Sequence, residues 1–264
     1  MSDTNAGNVS AAEVAGPPLA GCAALVTGAS SGIGAATALA LAREGATVAL
    51  VARRTERLTE LAAAIRDGGG SSVVLTADLR DAARVRQAVE DAAEHCGRLD
   101  LLVNNAGYVA MGALEEVEPA DLTRMVELNV TAVLHASQAA LPHLLRAAAD
   151  GPRGVADVVT VSSVAGRLVR RDNAVYSATK HAVCAFSEGL RQEVTGRRVR
   201  VGLVEPGITE TEMAAVAVPT AVRGLPRSDW LQAEDIARSI TFMVTQPAHV
   251  AVNEMLVRPT AQEP

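Results

Sequence analysis

Short apolar runs alternate with longer amphipathic stretches along most of this chain. Each run is short and rich in β-branched side chains, and most runs are apolar on both faces, which is typical of buried parallel strands. The runs that predict strands are Ala23–Thr27, Thr47–Val51, Ser72–Leu75, Leu99–Val103, Val155–Val161 and Val199–Val204, and Asn253–Val257 could add a last one.

The stretches between these runs have helical periodicity. They predict helices over Ile33–Glu44, Thr55–Asp67, Asp81–Cys96, Asp121–Ala148, Ala174–Thr195 and Glu234–Thr245. Parallel strands joined by helices need right-handed crossovers, so the order predicts an α/β fold with a single doubly wound, Rossmann-type parallel sheet flanked by helices. No repeat or linker interrupts residues 21–260, which are predicted to form one domain.

Residues 1–20 are rich in small and polar residues and are predicted to form a flexible N-terminal leader. This segment lacks the basic and apolar regions of a secretory signal, and no stretch of about 18 apolar residues could span a membrane. The three cysteines are widely separated and are expected to be reduced. We therefore expect a cytoplasmic protein with no membrane partner.

Composition excludes some classes of function. The 264 residues include 24 Lys and Arg against 30 Asp and Glu, a net charge of −6, and 49% are hydrophobic, enough for a sizeable core. No cluster of cations is present, which argues against a nucleic-acid partner. The five histidines are scattered without ligand spacing, so no metal site is predicted.

A glycine-rich turn, Thr27–Gly34, joins the first predicted strand to the first predicted helix. Glycines permit tight dihedral angles and close approach of the backbone, and a helix N-terminus directs unpaired N–H groups at an anion. The strand before the turn and the helix after it favour the pyrophosphate of a dinucleotide as the ligand. Glycine can also simply end a strand, which is the alternative for the turn taken alone.

Two arginines, Arg53 and Arg54, follow the second predicted strand. Dinucleotide-binding folds place an acidic residue here to bind the hydroxyls of the adenine ribose. Guanidinium groups suit a 2′-phosphate instead, because their N–H groups match phosphate oxygens in pairs. The position therefore favours NADP(H), although a solvated pair at the start of a helix is the alternative.

Tyr176 and Lys180 lie four residues apart on a predicted helix and so share one face. An isolated phenol has a pKa near 10 and is a poor proton carrier at neutral pH, but a nearby cation stabilises phenolate and lowers that pKa. Tyr176 is therefore a candidate general acid or base. An exposed helical pair with no role in chemistry is the alternative.

Five motifs in this order resemble the short-chain dehydrogenase/reductase family over residues 21–258. They are the turn Thr27–Gly34, Asn-Asn-Ala-Gly at Asn104–Gly107, Val-Ser-Ser at Val161–Ser163, Tyr-x-x-x-Lys at Tyr176–Lys180 and Pro-Gly-x-x-x-Thr at Pro206–Thr211. Local phrases such as Val257-Arg-Pro-Thr also resemble the bacterial NADPH reductases of secondary metabolism of the clavulanate dehydrogenase type.

The resemblance implies a role for each matching residue. The catalytic residues would be Asn129, Ser163, Tyr176 and Lys180, with Ser163 bonding the substrate oxygen and Asn129 anchoring a water between Lys180 and solvent. Asp78 would contact adenine, and the Ile208 backbone with Thr211 would hold the nicotinamide carboxamide. The implied cofactor-binding residues are Gly28, Ser30, Ser31, Gly32, Ile33, Gly34, Arg53, Arg54, Asp78, Leu79, Asn105, Ala106, Gly107, Tyr176, Lys180, Pro206, Gly207, Ile208 and Thr211.

These roles imply an NADP(H)-dependent oxidoreductase that transfers hydride to or from a carbonyl or alcohol. The expected substrate is a small, largely apolar ketone or aldehyde of a biosynthetic pathway, such as antibiotic biosynthesis. The segments 107–112, 163–171 and a lid over 209–230 would enclose it. Their wall residues would be Tyr108, Val109, Met111, Val164, Leu168, Val169, Met213, Val216, Val218 and Trp230, with Arg170 and Arg171 either binding an anion or simply solvated.

Two other classes stay open at this point. One is a non-redox regulator or scaffold of the same fold that binds a dinucleotide, and the other is an NADP-dependent epimerase or dehydratase. The resemblance also implies a homotetramer or homodimer, assembled through the predicted helices Asp121–Ala148 and Ala174–Thr195.

Overall fold

A seven-stranded sheet forms the centre of the computed structural model, which describes residues 16–217 and 225–262. All strands are parallel, in the order β3-β2-β1-β4-β5-β6-β7. The sequence prediction of a doubly wound α/β fold is confirmed. The strands are β1 Ala23–Thr27, β2 Thr47–Ala52, β3 Ser71–Thr76, β4 Leu101–Asn104, β5 Ala156–Val161, β6 Val199–Pro206 and β7 Glu254–Val257.

Helices cover both faces of this sheet and bury two apolar cores. Leu41, Leu58 and Ile240 represent the core on one face, and Val89, Leu144 and Leu190 represent the core on the other. This is why the central strands are apolar on both sides. The helices are α1 Gly32–Arg43, α2 Thr55–Asp67, α3 Ala82–Cys96, α4 Pro119–Val126, α5 Ala132–Asp150, α6 Ala174–Val194, α7 Glu212–Ala217 and α8 Ala233–Val244.

The predicted helix Asp121–Ala148 is interrupted in the structure. One turn of π-helix, Glu127–Thr131, separates α4 from α5. Such turns are rare, occur mostly as single insertions in α-helices and are frequent at functional sites. The apolar periodicity of the sequence runs through the insertion, which is why the sequence predicts a single helix.

The predicted leader, residues 1–20, extends too far. Leu19 is 1% exposed, and its N–H donates to the carbonyl oxygen of Glu44 over 2.8 Å. The folded unit therefore includes Leu19, because its apolar side chain is buried in the core on one face of the sheet. Residues 1–15 lie outside the described residues.

A buried carboxylate holds β1 to β4 at their amino ends. Asp100 is 0% exposed and accepts hydrogen bonds from the Ala23 N–H at 2.9 Å and from two nitrogens of Arg98 at 2.6 and 2.7 Å. A buried carboxylate is tolerable only with such partners. The bonds join the strands at the end of the sheet opposite the cleft described below.

Asp100→Ala is expected to lower the free energy of unfolding by about 3 kcal/mol, because it leaves the Ala23 N–H and the partly buried Arg98 without their acceptor. Urea denaturation measures the loss. Asp67→Ala at the exposed end of α2 is the matched control and should change stability by less than about 0.5 kcal/mol. Equal effects of the two substitutions would show that Asp100 has no special role.

Candidate active site

A cleft of about 560 Å³ lies where the strands end at their carboxyl side. The residues that follow β1, β2, β3, β4, β5 and β6 all contribute to it, as expected at the switch point of a doubly wound sheet. Every predicted site residue lines this cleft except Gly34, Asp78 and Asn129. The fold thus brings predicted site residues from seven separate segments to one place, the seventh being the part of α6 that carries Tyr176 and Lys180.

The glycine-rich turn packs without space for side chains. Gly28 has a φ of +68°, and a Cβ there would lie 2.9 Å from the Cα of Ala106. A Cβ on Gly34 would overlap the carbonyl oxygen of Gly28. Gly34 therefore allows α1 to pack closely on the turn and does not itself line the cleft.

Helix α1 presents its N-terminus to the cleft. Its N-cap residue, Ser31, makes no capping bond through its side chain, and its first turn contains no acidic residue. The unpaired N–H groups of the first turn are therefore available for an anion, and the turn before them supplies the close approach. Gly32 and Ile33, at this end of the helix, both line the cleft.

Thr27 and Asn105 hold the ends of β1 and β4 together. The Asn105 Nδ2 donates to the Thr27 carbonyl oxygen at 2.9 Å, and the backbone N–H groups of Asn105 and Ala106 donate to the Thr27 hydroxyl at 2.9 and 3.1 Å. The Asn105 side chain thus braces the glycine-rich turn, and its backbone borders the cleft.

Arg54 lies across the glycine-rich turn. Its guanidinium donates to the hydroxyl of Ser30 at 3.0 and 3.2 Å, to the hydroxyl of Ser31 at 2.7 Å and to the carboxylate of Glu212 at 2.8 Å. Glu212 begins α7, and the hydrogen bond from Arg54 lowers the pKa of its carboxyl. Arg53 is exposed and lines the cleft beside it.

Asp78 stands beside the cleft. Its carboxylate accepts three hydrogen bonds from the Arg80 side chain, and these lower its pKa to about 2. Its chain neighbours Ala77 and Leu79 do line the cleft. The predicted contact of Asp78 with adenine therefore competes with the Asp78–Arg80 ion pair, which no motif of the sequence indicates.

Ser163, Tyr176 and Lys180 meet at the floor of the cleft. The ammonium nitrogen of Lys180 is 2.9 Å from the carbonyl oxygen of Val161 and 5.6 Å from the centre of the Tyr176 ring. Ser163 accepts a hydrogen bond from the Ala165 N–H at 3.1 Å. Burial lowers the pKa of Lys180 to about 8, and no other lysine occurs in the chain.

The expected depression of the Tyr176 pKa is wrong for the protein by itself. Desolvation raises the pKa of the phenol above 10, and hydrogen bonding with Ser163 opposes this only in part. The ammonium of Lys180 is directed at the Val161 carbonyl instead of the phenol oxygen. Tyr176 is therefore a neutral phenol at physiological pH, with a proton to donate.

Asn129 lies in the π-helical turn and is 2% exposed. Its side-chain oxygen accepts from the Tyr108 N–H at 2.7 Å, and its Nδ2 donates to the Tyr108 carbonyl at 2.8 Å and to the Thr179 hydroxyl at 3.0 Å. The side chain therefore joins the loop after β4 to the helix that carries Tyr176 and Lys180. The predicted water-anchoring role stays a prediction.

The backbone of Ile208 is not available to a carboxamide in this structure. Its N–H donates to the side-chain oxygen of Gln262 at 2.9 Å, and its carbonyl accepts from the Leu231 N–H at 3.1 Å. The N–H of the next residue, Thr209, donates to none of the described residues, and Thr209 lines the cleft. The sequence motif locates the loop but does not show which of its N–H groups is left to donate.

The predicted substrate walls are present in part. Tyr108, Val109, Met111, Val164, Leu168, Met213 and Arg170 line the cleft. Val169 is 68% exposed, Trp230 is buried, and neither these two nor Arg171 line it. The side chain of Val216 and the whole of Val218 lie outside the described residues.

Sequence reasoning missed several residues of the cleft. Asn173, Glu212, Arg258 and Gln262 line it without belonging to any of the motifs. Glu212 could have been noticed as the residue directly after Thr211. Gln262 could not, because its contact depends on how the segment after β7 turns.

The side chain of Tyr108, which lines the cleft, is held in place by two contacts. Its hydroxyl donates to Asp121 at 2.8 Å, and the guanidinium of Arg124 stacks over its ring at 3.8 Å from the centre. The ring therefore offers a fixed apolar surface, while its hydroxyl is already in use.

Within residues 16–217 and 225–262, no helix is long and apolar enough to cross a membrane. The same part of the chain contains no group of three or more His, Cys, Asp or Glu residues that could hold a metal ion.

The sequence profile described as "short chain dehydrogenase" matches residues 22–221 of this chain. The chain therefore belongs to the short-chain dehydrogenase/reductase family, as its motifs predict. An uncharacterized oxidoreductase of Staphylococcus epidermidis is 33% identical over 236 residues, which are 89% of this chain and 96% of that protein.

A second relative is much longer. Glycine betaine reductase ATRR of Emericella nidulans is 39% identical over 246 residues, which cover 92% of this chain and only 19% of that protein. Among solved structures, a short chain dehydrogenase from Burkholderia cenocepacia in complex with NADP has 32% identity and a TM-score of 0.80, covering 92% of this chain and 98% of its own.

Lys180→Met is expected to raise the free energy of unfolding by about 2 kcal/mol at pH 7, as the buried charge disappears while one hydrogen bond is lost. Because the pKa is about 8 in the folded protein and ordinarily 10.5, the unfolded chain binds more protons between these values. The buried charge lowers the free energy of unfolding by its full amount below pH 8, and this loss of stability disappears as the pH rises to 10.5. Urea unfolding across this range measures it.

The control measures the pKa itself. Because the chain has one lysine, protein labelled with ¹³C-lysine has one side-chain signal to follow by NMR. It should titrate near pH 8 in the folded protein and near 10.5 in urea. Titration near 10.5 in both states would contradict the argument.

Proposed function

We propose that this protein is an NADP(H)-dependent carbonyl reductase that reduces a small, largely apolar ketone or aldehyde, or oxidises the corresponding alcohol. The observation that carries the proposal is that Tyr176, Ser163 and Lys180 line the same cleft as the N-terminus of α1. When bound, the nicotinamide cofactor supplies or accepts the hydride. The protein supplies orientation and the proton.

The cleft suits a dinucleotide. The turn around Gly28 and the N-terminus of α1 offer backbone N–H groups to the pyrophosphate, with no acidic residue in the first turn to compete. Pro206, Gly207 and Thr211 also line the cleft, and we place the nicotinamide beside them. There we assign the carboxamide to the Thr209 N–H rather than to Ile208, because only the former remains to donate.

The charges beside β2 favour NADP(H) over NAD(H). Arg53 and Arg54 stand where the acidic ribose-binding residue of NAD-binding folds would be, and Arg54 already binds the hydroxyls of Ser30 and Ser31. A 2′-phosphate would find guanidinium and hydroxyl donors together. The relative from Burkholderia cenocepacia, crystallised with NADP, supports this choice.

In the reducing direction Tyr176 would donate its proton to the carbonyl oxygen of the substrate as negative charge develops there. Its raised pKa keeps the phenol protonated, as this role requires. Ser163 would donate a second hydrogen bond to the same oxygen. Lys180 would hold the ribose hydroxyls of the cofactor and, while protonated, stabilise the phenolate that remains.

The walls of the cleft favour an apolar substrate. Met111, Val164, Leu168 and Met213 line it near the proposed acid. A role in a biosynthetic pathway, a cytoplasmic location and assembly into homotetramers or homodimers all remain proposals.

Tyr176→Phe is expected to lower kcat by about 1,000-fold in a panel of ketones and aldehydes followed by NADPH absorbance, because it removes the proton donor. The Kd for NADPH, measured by fluorescence, should change by less than about 3-fold, since the ring and Lys180 remain. Tyr108→Phe, at the only other tyrosine, is the matched control and should keep most activity. Unimpaired turnover in Tyr176→Phe would refute the proposal.

The double variant Arg53→Ala/Arg54→Ala is expected to raise the Kd for NADPH by about 100-fold and that for NADH by less than about 5-fold. Isothermal titration measures both. The control, Arg57→Ala, removes an exposed guanidinium that pairs with Glu60 on α2 and should leave both values unchanged. Equal losses for the two cofactors would mean that the arginines do not read the 2′-phosphate.

A further inference from the structure

The segment after β7 returns to the cleft. Strands β6 and β7 pair in parallel as far as Pro206 and Val257, and the Gly207 N–H donates to the Val257 carbonyl at 2.6 Å. The chain then turns, with the Gln262 N–H donating to the Pro259 carbonyl at 3.0 Å. The turn directs the Gln262 side chain at the loop after β6, beyond the domain end at residue 260 that the sequence predicts.

The side chain of Gln262 accepts a hydrogen bond from the backbone N–H of Ile208. Its Oε1 accepts that hydrogen bond at 2.9 Å, and both Gln262 and the nearby Arg258 line the cleft. A Cβ on Gly207 would overlap this same oxygen and would lie 3.0 Å from the Cδ of Pro259. The glycine of the Pro-Gly motif therefore leaves the space in which the glutamine side chain lies.

The Ile208 residue is held from two sides. Gln262 holds its N–H, and the Leu231 N–H holds its carbonyl at 3.1 Å. Ile208 is 9% exposed, so an N–H there without a partner would be costly. The direction of the following N–H, on Thr209, is set by the Ile208 carbonyl because both belong to one planar peptide group.

We propose that Gln262 is a positioning residue for the nicotinamide end of the cofactor site. It fixes the Gly207–Ile208 peptide group, while Leu231 fixes the Ile208–Thr209 peptide group that carries the Thr209 N–H, so Gln262 acts on Thr209 by holding Ile208 in place and touches neither substrate nor reacting atoms. The inference rests on the proposed function, because it assigns the nicotinamide to this end of the cleft. It predicts that the loss of Gln262 weakens binding of the nicotinamide half of the cofactor and spares the adenosine half.

The test compares two ligands in two variants. Gln262→Met keeps the length of the side chain and removes the acceptor, whereas Gln262→Glu keeps an oxygen at the same place. The ligands are NADPH and 2′-phospho-ADP-ribose, which has the phosphates and adenosine but no nicotinamide. Isothermal titration gives the Kd of each, and thermal unfolding reports any general loss of structure.

Gln262→Met should raise the Kd for NADPH by about 10-fold, as expected for a lost buried hydrogen bond. It should leave the Kd for 2′-phospho-ADP-ribose within about 2-fold and lower the unfolding temperature by only a few degrees, because the Ile208 N–H loses its acceptor. Gln262→Glu should bind NADPH nearly as wild type does. Equal losses for both ligands, or no loss for either, would overturn the positioning role. Gly207→Ala, whose methyl group must displace the glutamine, should reproduce the selective loss if Gln262→Met fails to fold.

The wild-type protein separates this inference from the proposed function. If it binds neither ligand, the dinucleotide site itself is wrong and both proposals fall. If it binds both ligands and Gln262→Met shows no selective effect, only the positioning role falls. A tighter Kd for NADPH in Gln262→Met would overturn the positioning role as well, since it would make Gln262 a competitor for the cofactor.

Discussion

The hydrogen bond from the Lys180 ammonium to the Val161 carbonyl is the contact on which the site depends. Val161 ends β5, directly before Ser162 and Ser163, and Lys180 lies one turn after Tyr176 on α6. One bond thus fixes the distance between the serine and the tyrosine. It also confines a charge where water is scarce, which is why the pKa of Lys180 falls to about 8. All the other members of the Lys and Arg group are arginines, and arginine does not lose its proton in proteins.

Much of the fold could be predicted because it depends on local patterns. Apolar runs located all seven strands, and the glycines of Thr27–Gly34 located the turn before α1, because few other residues tolerate such close packing. The π-helical turn, the burial of Leu19 and the contact of Gln262 with Ile208 could not be predicted in this way. The π-helical turn depends on a single inserted residue, and the other two features depend on contacts between segments that are distant in the chain. Such causes leave no periodic signal in the sequence.

Arg54 links helix α7 to the glycine-rich turn. Arg54 binds a carboxylate of α7 as well as the serine hydroxyls of the glycine-rich turn. A guanidinium has five N–H groups in one plane and can serve several acceptors at once. Because both members of the Arg54–Glu212 pair are about half exposed, at 45% and 56%, the pair contributes little to stability and can exchange partners readily. The first turn of α7 is therefore tied to the same group that would read the cofactor phosphate.

The extra residue in the π-helical turn at Glu127–Thr131 lets α4 and α5 have different orientations about the helix axis. A regular α-helix advances about 100° per residue, so an inserted residue rotates everything before it by about that angle relative to everything after it. Helix α4 can thus turn Asp121 and Arg124 towards Tyr108 while α5 keeps its apolar side against the sheet. Residues before the turn can then change together with the cleft wall at Tyr108, while residues after the turn keep their packing against the sheet.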